Sequence, residues 1–292
     1  MGANSKISWT DHTFNPWIGC TKVHEGCTNC YAEAFSKRTG KAQWGPSGTR
    51  VKTSEANWKL PVKWNREAEE SGERRRVFCA SLADVFEDWT GEVLHHSGER
   101  LPRKLLIEES GVEWATMADL RAWLFALIDS TPMLDWLLLT KRPENVRRMW
   151  CSHINTDGSP PSELYRQNVW LLTSVSNQVT ADKMIPELLA CKGLSPVLGI
   201  SAEPLLGPVN LAANPQWLWA GSGLKWAIVG GESGPSRRMS EVSDIVSLVR
   251  QCQTAGVPCF VKQDVAAKPG RQGRIPDDVW AVQEFPNNHP LT

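Results

Sequence analysis

The chain has 292 residues, and its 32 basic side chains balance 32 acidic ones; zero formal charge argues against a protein that coats nucleic acid through a uniform positive field. Its length suits a (β/α) barrel built as one domain around one large core. Eight cysteines in a chain this long do not make a small secreted disulfide scaffold, and the absence of any apolar run of about 18 residues or of an Arg-rich leader leads us to expect a soluble, cytoplasmic protein away from membranes.

A first strand is expected near Ile7 to Thr10, with Trp9, Phe14 and Trp17 ahead of the cysteines. Cys20, Cys27 and Cys30 follow at C-x6-C-x2-C within the loop 19–31. Three soft thiolates at this range can close on one centre, and the turn from Gly26 to Cys30 can aim two sulfurs together. The spacing leaves two readings open. In one, a zinc knuckle is completed by His12, His24 or the remote Cys79. In the other, three sulfurs hold three irons of a [4Fe–4S] cluster and leave the fourth iron free for a ligand. Cys79, Cys151, Cys191, Cys252 and Cys259 lie mostly in apolar runs and read as small buried hydrophobes.

Tyr31 to Gly40 reads as a short helix with Gly40 as its C-cap. Residues 41–75 are polar and read as an insertion, helical around Asn65 to Glu70, that ends in the arginine run 74–76, a solvated face. Fifteen tryptophans against two tyrosines point to packing, with Trp44, Trp58, Trp64 and Trp89 in polar stretches as candidates for stacking on a ring. From residue 77 short apolar runs each end in a polar cluster: Val77 to Ala80 before Ser81 and Asp84, Trp136 to Leu139 before Lys141 and Arg142, and Val169 to Leu172 before Ser176 and Asn177. Pro196 to Ile200 leads to Glu203, Trp226 to Val229 to Glu232, and Pro258 to Val261 to Lys262. Starts recurring at roughly 30 residues have the size of a βαβ unit, and continuous apolar runs fit strands buried on both faces of a parallel sheet.

Between them, Ala118 to Asp129 carries one apolar face at i, i+3, i+4 spacing. Ser240 to Gln253 repeats the pattern with Ser240 as N-cap and Gly256 near the stop. Pro143 opens a helix where its missing N–H costs nothing, and Pro186 should shorten, kink or delay the helix between Thr180 and Cys191. The fold class is therefore α/β, a partial or complete parallel (β/α) barrel of the TIM-barrel kind spanning 1–264, with a tail, 265–292, packed across it through Ile275, Val279 and Trp280. In such folds the site lies at the carboxyl ends of the strands, so these polar ends and the three sulfurs should share one mouth. Glu203, at the end of an inner strand with Pro204 behind it, is the strongest non-cysteine candidate, and Lys262 is its nearest expected partner.

Taken together, Thr13-Phe-Asn-Pro-Trp17, the cysteine triad, Ser81-Leu-Ala-Asp-Val-Phe86, Leu139-Thr-Lys-Arg-Pro-Glu144, Ser201-Ala-Glu-Pro-Leu-Leu-Gly-Pro208 and Val229-Gly-Gly-Glu-Ser-Gly-Pro235 resemble a phage and prophage family of unknown function with a three-cysteine motif. More broadly the chain resembles the radical S-adenosylmethionine superfamily, and more distantly its spore photoproduct lyase branch. The resemblance implies a [4Fe–4S] cluster on Cys20, Cys27 and Cys30, S-adenosylmethionine as cofactor, a flavodoxin or ferredoxin as electron donor, and a host-cell cytoplasmic location if phage-encoded. By position it implies Ser81 and Asp84 for the methionine amino group and Ser176 and Asn177 for ribose or carboxylate. Glu203 and Lys262 become catalytic candidates. Lys141, Arg142, Glu232 and Arg237 become contacts to a nucleotide or nucleic-acid base. The pattern departs from the superfamily's usual C-x3-C-x2-C, and Gly230-Gly231-Glu232 comes late in the chain, so the usual role of that element does not transfer. The other readings are a zinc-dependent barrel hydrolase and a metal- or cluster-stapled nucleic-acid-binding module without catalysis.

Overall fold

The computed structural model describes residues 2–3, 5–103, 113–150, 165–219, 221 and 223–287; Cys151 lies outside them. In chain order the elements are β1 (Gly2–Ala3), β2 (His12–Phe14), β3 (Trp17–Ile18), α1 (Tyr31–Thr39), β4 (Arg50–Lys52), α2 (Glu55–Ser71), β5 (Arg75–Cys79) and β6 (Val93–Leu94). They continue with α3 (Met117–Asp129), β7 (Leu134–Thr140), α4 (Val146–Met149), β8 (Val169–Ser174), α5 (Gln178–Leu189), β9 (Val197–Ala202), β10 (Trp226–Gly230), α6 (Val242–Ala255), β11 (Cys259–Gln263) and α7 (Asp277–Trp280). The main sheet has eight strands in the order β1-β2-β5-β7-β8-β9-β10-β11. From β2 to β11 every pairing is parallel, and only β1 runs antiparallel to its neighbour. Strands that follow one another in chain order wind in one direction, and the sheet curls into a half-barrel. Among the described residues nothing pairs β11 with β1, so the barrel is partial.

Both faces of the sheet are dry, for different reasons. Val77, Cys79, Trp136, Leu138, Leu171, Ile200, Val229 and Val261 share one cluster with the helices. The alternate residues Phe78, Leu137, Trp170, Leu172, Trp226, Ile228 and Phe260 form a second cluster with Trp9 on the concave side. The period of two in the strand thus sorts each run into a helix-facing and a concave set. Trp226 is the hub of the concave set: its ring meets Trp9 at 6.3 Å, Trp170 at 5.4 Å and Phe285 at 5.6 Å, and its Nε1 donates to the Glu284 carbonyl. The tail also covers the free edge of β11, with Val261 N donating to Val282 O and Glu284 N to Cys259 O, which removes an exposed row of backbone groups.

Several local expectations change in the folded chain. The first barrel strand is His12–Phe14, because Trp9 is drawn into the concave core and the Thr10 hydroxyl accepts from Phe78 N and donates to Arg76 O in place of a ladder. The segment expected to be helical only around Asn65 to Glu70 forms the whole of α2, capped by Ser54 and stopped by Gly72 at φ 69°. Arg75 and Arg76 belong to β5, Arg74 pairs with Asp135, and Arg76 stacks over Phe285 at 3.9 Å, so the run is anchored. Glu241, not Ser240, is the N-cap of α6. Pro186 sits inside an uninterrupted α5 that starts at Gln178, because Asn177 and Thr180 form a reciprocal capping box. Trp58, Trp64 and Trp89 stack within the protein, on Phe14 and Lys52, on His12, and on Arg50 respectively. No helix among the described residues is long and apolar enough to cross a membrane.

The concave packing gives a direct expectation. Trp226→Ala should cost about 3–5 kcal/mol and lower the melting temperature by roughly 10 °C; a variant melting within about 2 °C of the parent would show that the concave face is not a packed core.

Candidate functional site

The loop that carries the cysteines starts from a second, three-stranded sheet, β3-β4-β6. At its root Gly19 N donates to Leu82 O, and Gly19 adopts φ 120° where a Cβ would stand 2.3 Å from the Thr49 carbonyl oxygen. Only glycine fits a left-handed residue pressed this close to backbone. The loop then crosses the carboxyl ends of the barrel strands. Cys20 Sγ lies 3.6 Å from Arg142 Nη1, beyond β7; the Glu25 carboxylate accepts from Asn177, beyond β8; Asn29 Nδ2 donates to Glu232, beyond β10, at 3.0 Å. Arg238 Nη1 donates to the Glu25 carbonyl at 2.9 Å, and the Tyr31 hydroxyl donates to Ser81 O, beyond β5, at 2.7 Å.

Beneath the start of the loop lies a buried charge network. Arg50 is fully buried and grips Glu87 with two hydrogen bonds, Nε to Oε2 at 2.6 Å and Nη2 to Oε1 at 2.8 Å. Arg142 reaches Asp84 at 3.0 Å, Glu87 at 3.4 Å and the Thr21 carbonyl at 2.6 Å. Asp84 also accepts from Phe86 N, the Thr140 hydroxyl and Lys141 N. Its lone pairs are spent within the protein, so in this arrangement it positions β7's end and Arg142, and the amino-group role expected of it has no free acceptor. Arg142, expected to anchor phosphate, is likewise committed. Burial, reinforced by Asp84 and Glu87, pushes the Cys20 thiol up to about 12 against the pull of Arg142.

Glu232 is buried and engaged by Arg238 through Nε at 3.0 Å, Nη2 at 2.6 Å and backbone N at 2.7 Å. Burial opposes its ionisation, but these bonds and that from Asn29 outweigh it and hold its carboxyl below the usual range. It therefore latches the loop, whereas Arg237 is exposed and touches only the Gly234 carbonyl among the contacts found, at 3.4 Å. Glu203 and Lys262 form an ion pair, the Lys262 ammonium donating to Oε1, with Gln263 Nε2 at 3.2 Å from the same oxygen; both side chains are largely but not fully buried. Ser81 accepts from Asn15 Nδ2 at 3.0 Å, Asn177 caps α5, and the Lys141 ammonium donates to Ser174 Oγ at 3.1 Å. Sequence reasoning missed Arg50 and Glu87; neither Arg50-Val-Lys52 nor Val85-Phe-Glu87-Asp88 carries a local pattern that marks its charge as buried.

Which metal group suits these residues can be tested on their partners. A closed zinc site needs a fourth protein ligand. Of the candidates, Cys79 is sealed in the core and His12 is stacked on Trp64 with ring centroids 4.3 Å apart, while His24 accepts from Gly26 N at Nδ1 and keeps an unpartnered Nε2 among the described residues. Cys20, Cys27 and Cys30 are free and half-buried, and His24 Nε2 and Ser176 Oγ are sealed beside Gly26 with no hydrogen-bond partner. Three thiols with polar groups still unsatisfied next to them fit a group that three thiolates hold and that brings its own further ligand. As the side chains stand, no three His, Cys, Asp or Glu among the described residues form a ligand set, so closing the sulfurs on one centre requires the side chains or the loop to rearrange.

A family model described as a protein of unknown function, DUF5131, matches residues 4–96 and 113–278, and the chain belongs to that family. No curated protein and no solved structure matches it.

Two expectations follow from the charges. Arg142→Gln should cost about 3–5 kcal/mol in chemical denaturation because it leaves buried carboxylates short of a partner, while Lys141→Gln should cost under about 1 kcal/mol; equal losses would remove the network from its supporting role. Glu232 has a depressed folded pKa, so its contribution is fully present above the unfolded value of about 4.3 and is lost as pH falls through its lower folded value. The stability gap between the parent and Glu232→Gln should therefore close in acid, and a gap that widens there would contradict the latch.

Proposed function

We propose that this member of the DUF5131 family binds a [4Fe–4S] cluster through Cys20, Cys27 and Cys30 and uses S-adenosylmethionine as a radical source to modify or repair a nucleotide or nucleic-acid base. The observation that carries the reading is the position of three unpaired thiols on a loop crossing the strand-end mouth of an open parallel half-barrel. A cluster held there would supply the electron that cleaves S-adenosylmethionine to a 5′-deoxyadenosyl radical. A flavodoxin or ferredoxin is the class of donor that would reduce it, and the phage setting implied by the sequence resemblance would place the reaction in the host cytoplasm.

The chain's own residues supply orientation and dryness. The aromatic concave core fills the lower end of the half-barrel and keeps it dry. Tyr31 is 60% exposed and its hydroxyl is tied to Ser81 O, which anchors one end of a ring against which a base can lie. Glu203 and Lys262 offer an acceptor and a donor side by side, the pair a base edge needs. Ser81 adds a hydroxyl held by Asn15. In this reading Arg142 and Asp84 act through the loop they hold.

Anaerobic purification with iron and sulfide assays is the test. About four irons and four sulfides per chain are expected, lost in Cys20→Ala, Cys27→Ala or Cys30→Ala and retained in Cys252→Ala; one zinc without sulfide would sink the reading. Glu203→Gln should lose turnover or S-adenosylmethionine affinity with a nearly unchanged melting temperature. Early melting with full activity in the folded fraction would make Glu203 a structural ion-pair partner instead.

A further inference from the structure

Two polar atoms under the cysteine loop have nothing to bond. Ser176 is fully buried and its Oγ has no partner, and the His24 Nε2 is sealed and unpartnered as well. Both side chains lie against Gly26: a Cβ there would stand 2.5 Å from Ser176 Oγ and 2.7 Å from the His24 ring carbon Cε1. The hydrogen bond from Gly26 N occupies His24 Nδ1 at 3.0 Å, so in the neutral ring the proton sits on Nε2 and that atom is a donor. Leaving two such groups buried and unmade costs about 1–3 kcal/mol each.

Three cations, Lys141, Lys183 and Arg142, lie close enough to His24 to act on its ring. Lys141 extends its ammonium to Ser174 Oγ, two residues before Ser176 on the same strand end. The nearest negative group that meets this strand end from the loop is the Glu25 carboxylate, bound to Asn177 at the first turn of the twelve-residue helix α5. Glu25 lies on the loop and leaves the mouth whenever the loop lifts.

We propose that Ser176 and Lys141 form an oxyanion subsite, uncovered when residues 24–27 lift and carry His24 and Glu25 away, in which an incoming phosphate or carboxylate takes hydrogen bonds from both and replaces Glu25 as the local anion. The two sources share one chemistry, and the site stands on its own donors, independent of the iron–sulfur reading.

The test uses the full iron-free chain and titration calorimetry with inorganic phosphate, and with S-adenosylmethionine against its decarboxylated analogue. Saturable phosphate binding assigns the subsite to a phosphate-bearing substrate; binding of S-adenosylmethionine that is lost on decarboxylation assigns it to the carboxylate. In either case Lys141→Met and Ser176→Ala should weaken binding by about tenfold, the loss of one charge-assisted or buried hydrogen bond. Glu25→Gln should instead tighten it several-fold, a direction that damage to the fold does not produce. Binding that none of the three variants changes means an adventitious ion only and overturns the subsite, as does the absence of binding by all three probes. Anion binding in a chain that never assembles a cluster keeps the subsite and removes the proposed function, and a cluster without anion binding does the reverse.

Discussion

The mouth of this half-barrel depends on a charge cluster that is almost sealed from water. Arg50, Glu87, Arg142 and Asp84 lie between 0% and 6% exposed, and isolated charges at such depth are costly. They persist because each meets opposite charge and because Thr21, Thr140, Phe86 and Lys141 supply the remaining hydrogen bonds. Two of those partners belong to the root of the cysteine loop and to the end of β7, so satisfying the charges also fixes where the loop leaves the small sheet. A buried network of this kind adds little net stability over an apolar core, but removing one member is expensive. It is therefore better understood as a device that fixes one arrangement of the loop.

The two ends of the half-barrel divide the work. The lower concave volume is filled by Trp9, Trp170, Trp226, Phe78 and Phe260, with Phe285 of the tail laid across them. The upper rim carries the polar strand ends. Dense aromatic packing below allows the rim to hold strained loops, unsatisfied donors and opposed charges, because the stability they cost is offset elsewhere in the same sheet. The tryptophan excess thus serves the core. Of the two tyrosines, Tyr31 presents its ring to the mouth.

The cysteine loop is tied down at its root and latched at its tip by different forces. At the root, backbone geometry at Gly19 leaves no alternative. At the tip, the exposed Glu25 bonds Asn177 and the half-buried Asn29 bonds the buried Glu232, single contacts of the sort that open at modest cost. A rigid base with a releasable tip suits a loop whose thiols must still come together.

The sequence alone determined the rhythm of the sheet. Six apolar runs gave the strands β5 and β7 to β11 to within two residues at their starts, because strands buried on both faces must be continuously apolar and crossover helices impose a spacing. The carboxyl-end position of Ser81, Lys141, Ser176, Glu203, Glu232 and Lys262, and the shared origin of the three thiols, were legible for the same reason. Tertiary structure alone decided which of these groups are free. Asp84 and Arg142 are consumed by partners 58 and 121 residues away and Glu232 by Arg238 and a loop 203 residues distant, while Ser176 Oγ and His24 Nε2 are left without partners among the described residues. Periodicity encodes which face a residue takes along its own element. Whether its charge is already paired depends on which strand ends the curl of the sheet brings together, and no local pattern carries that.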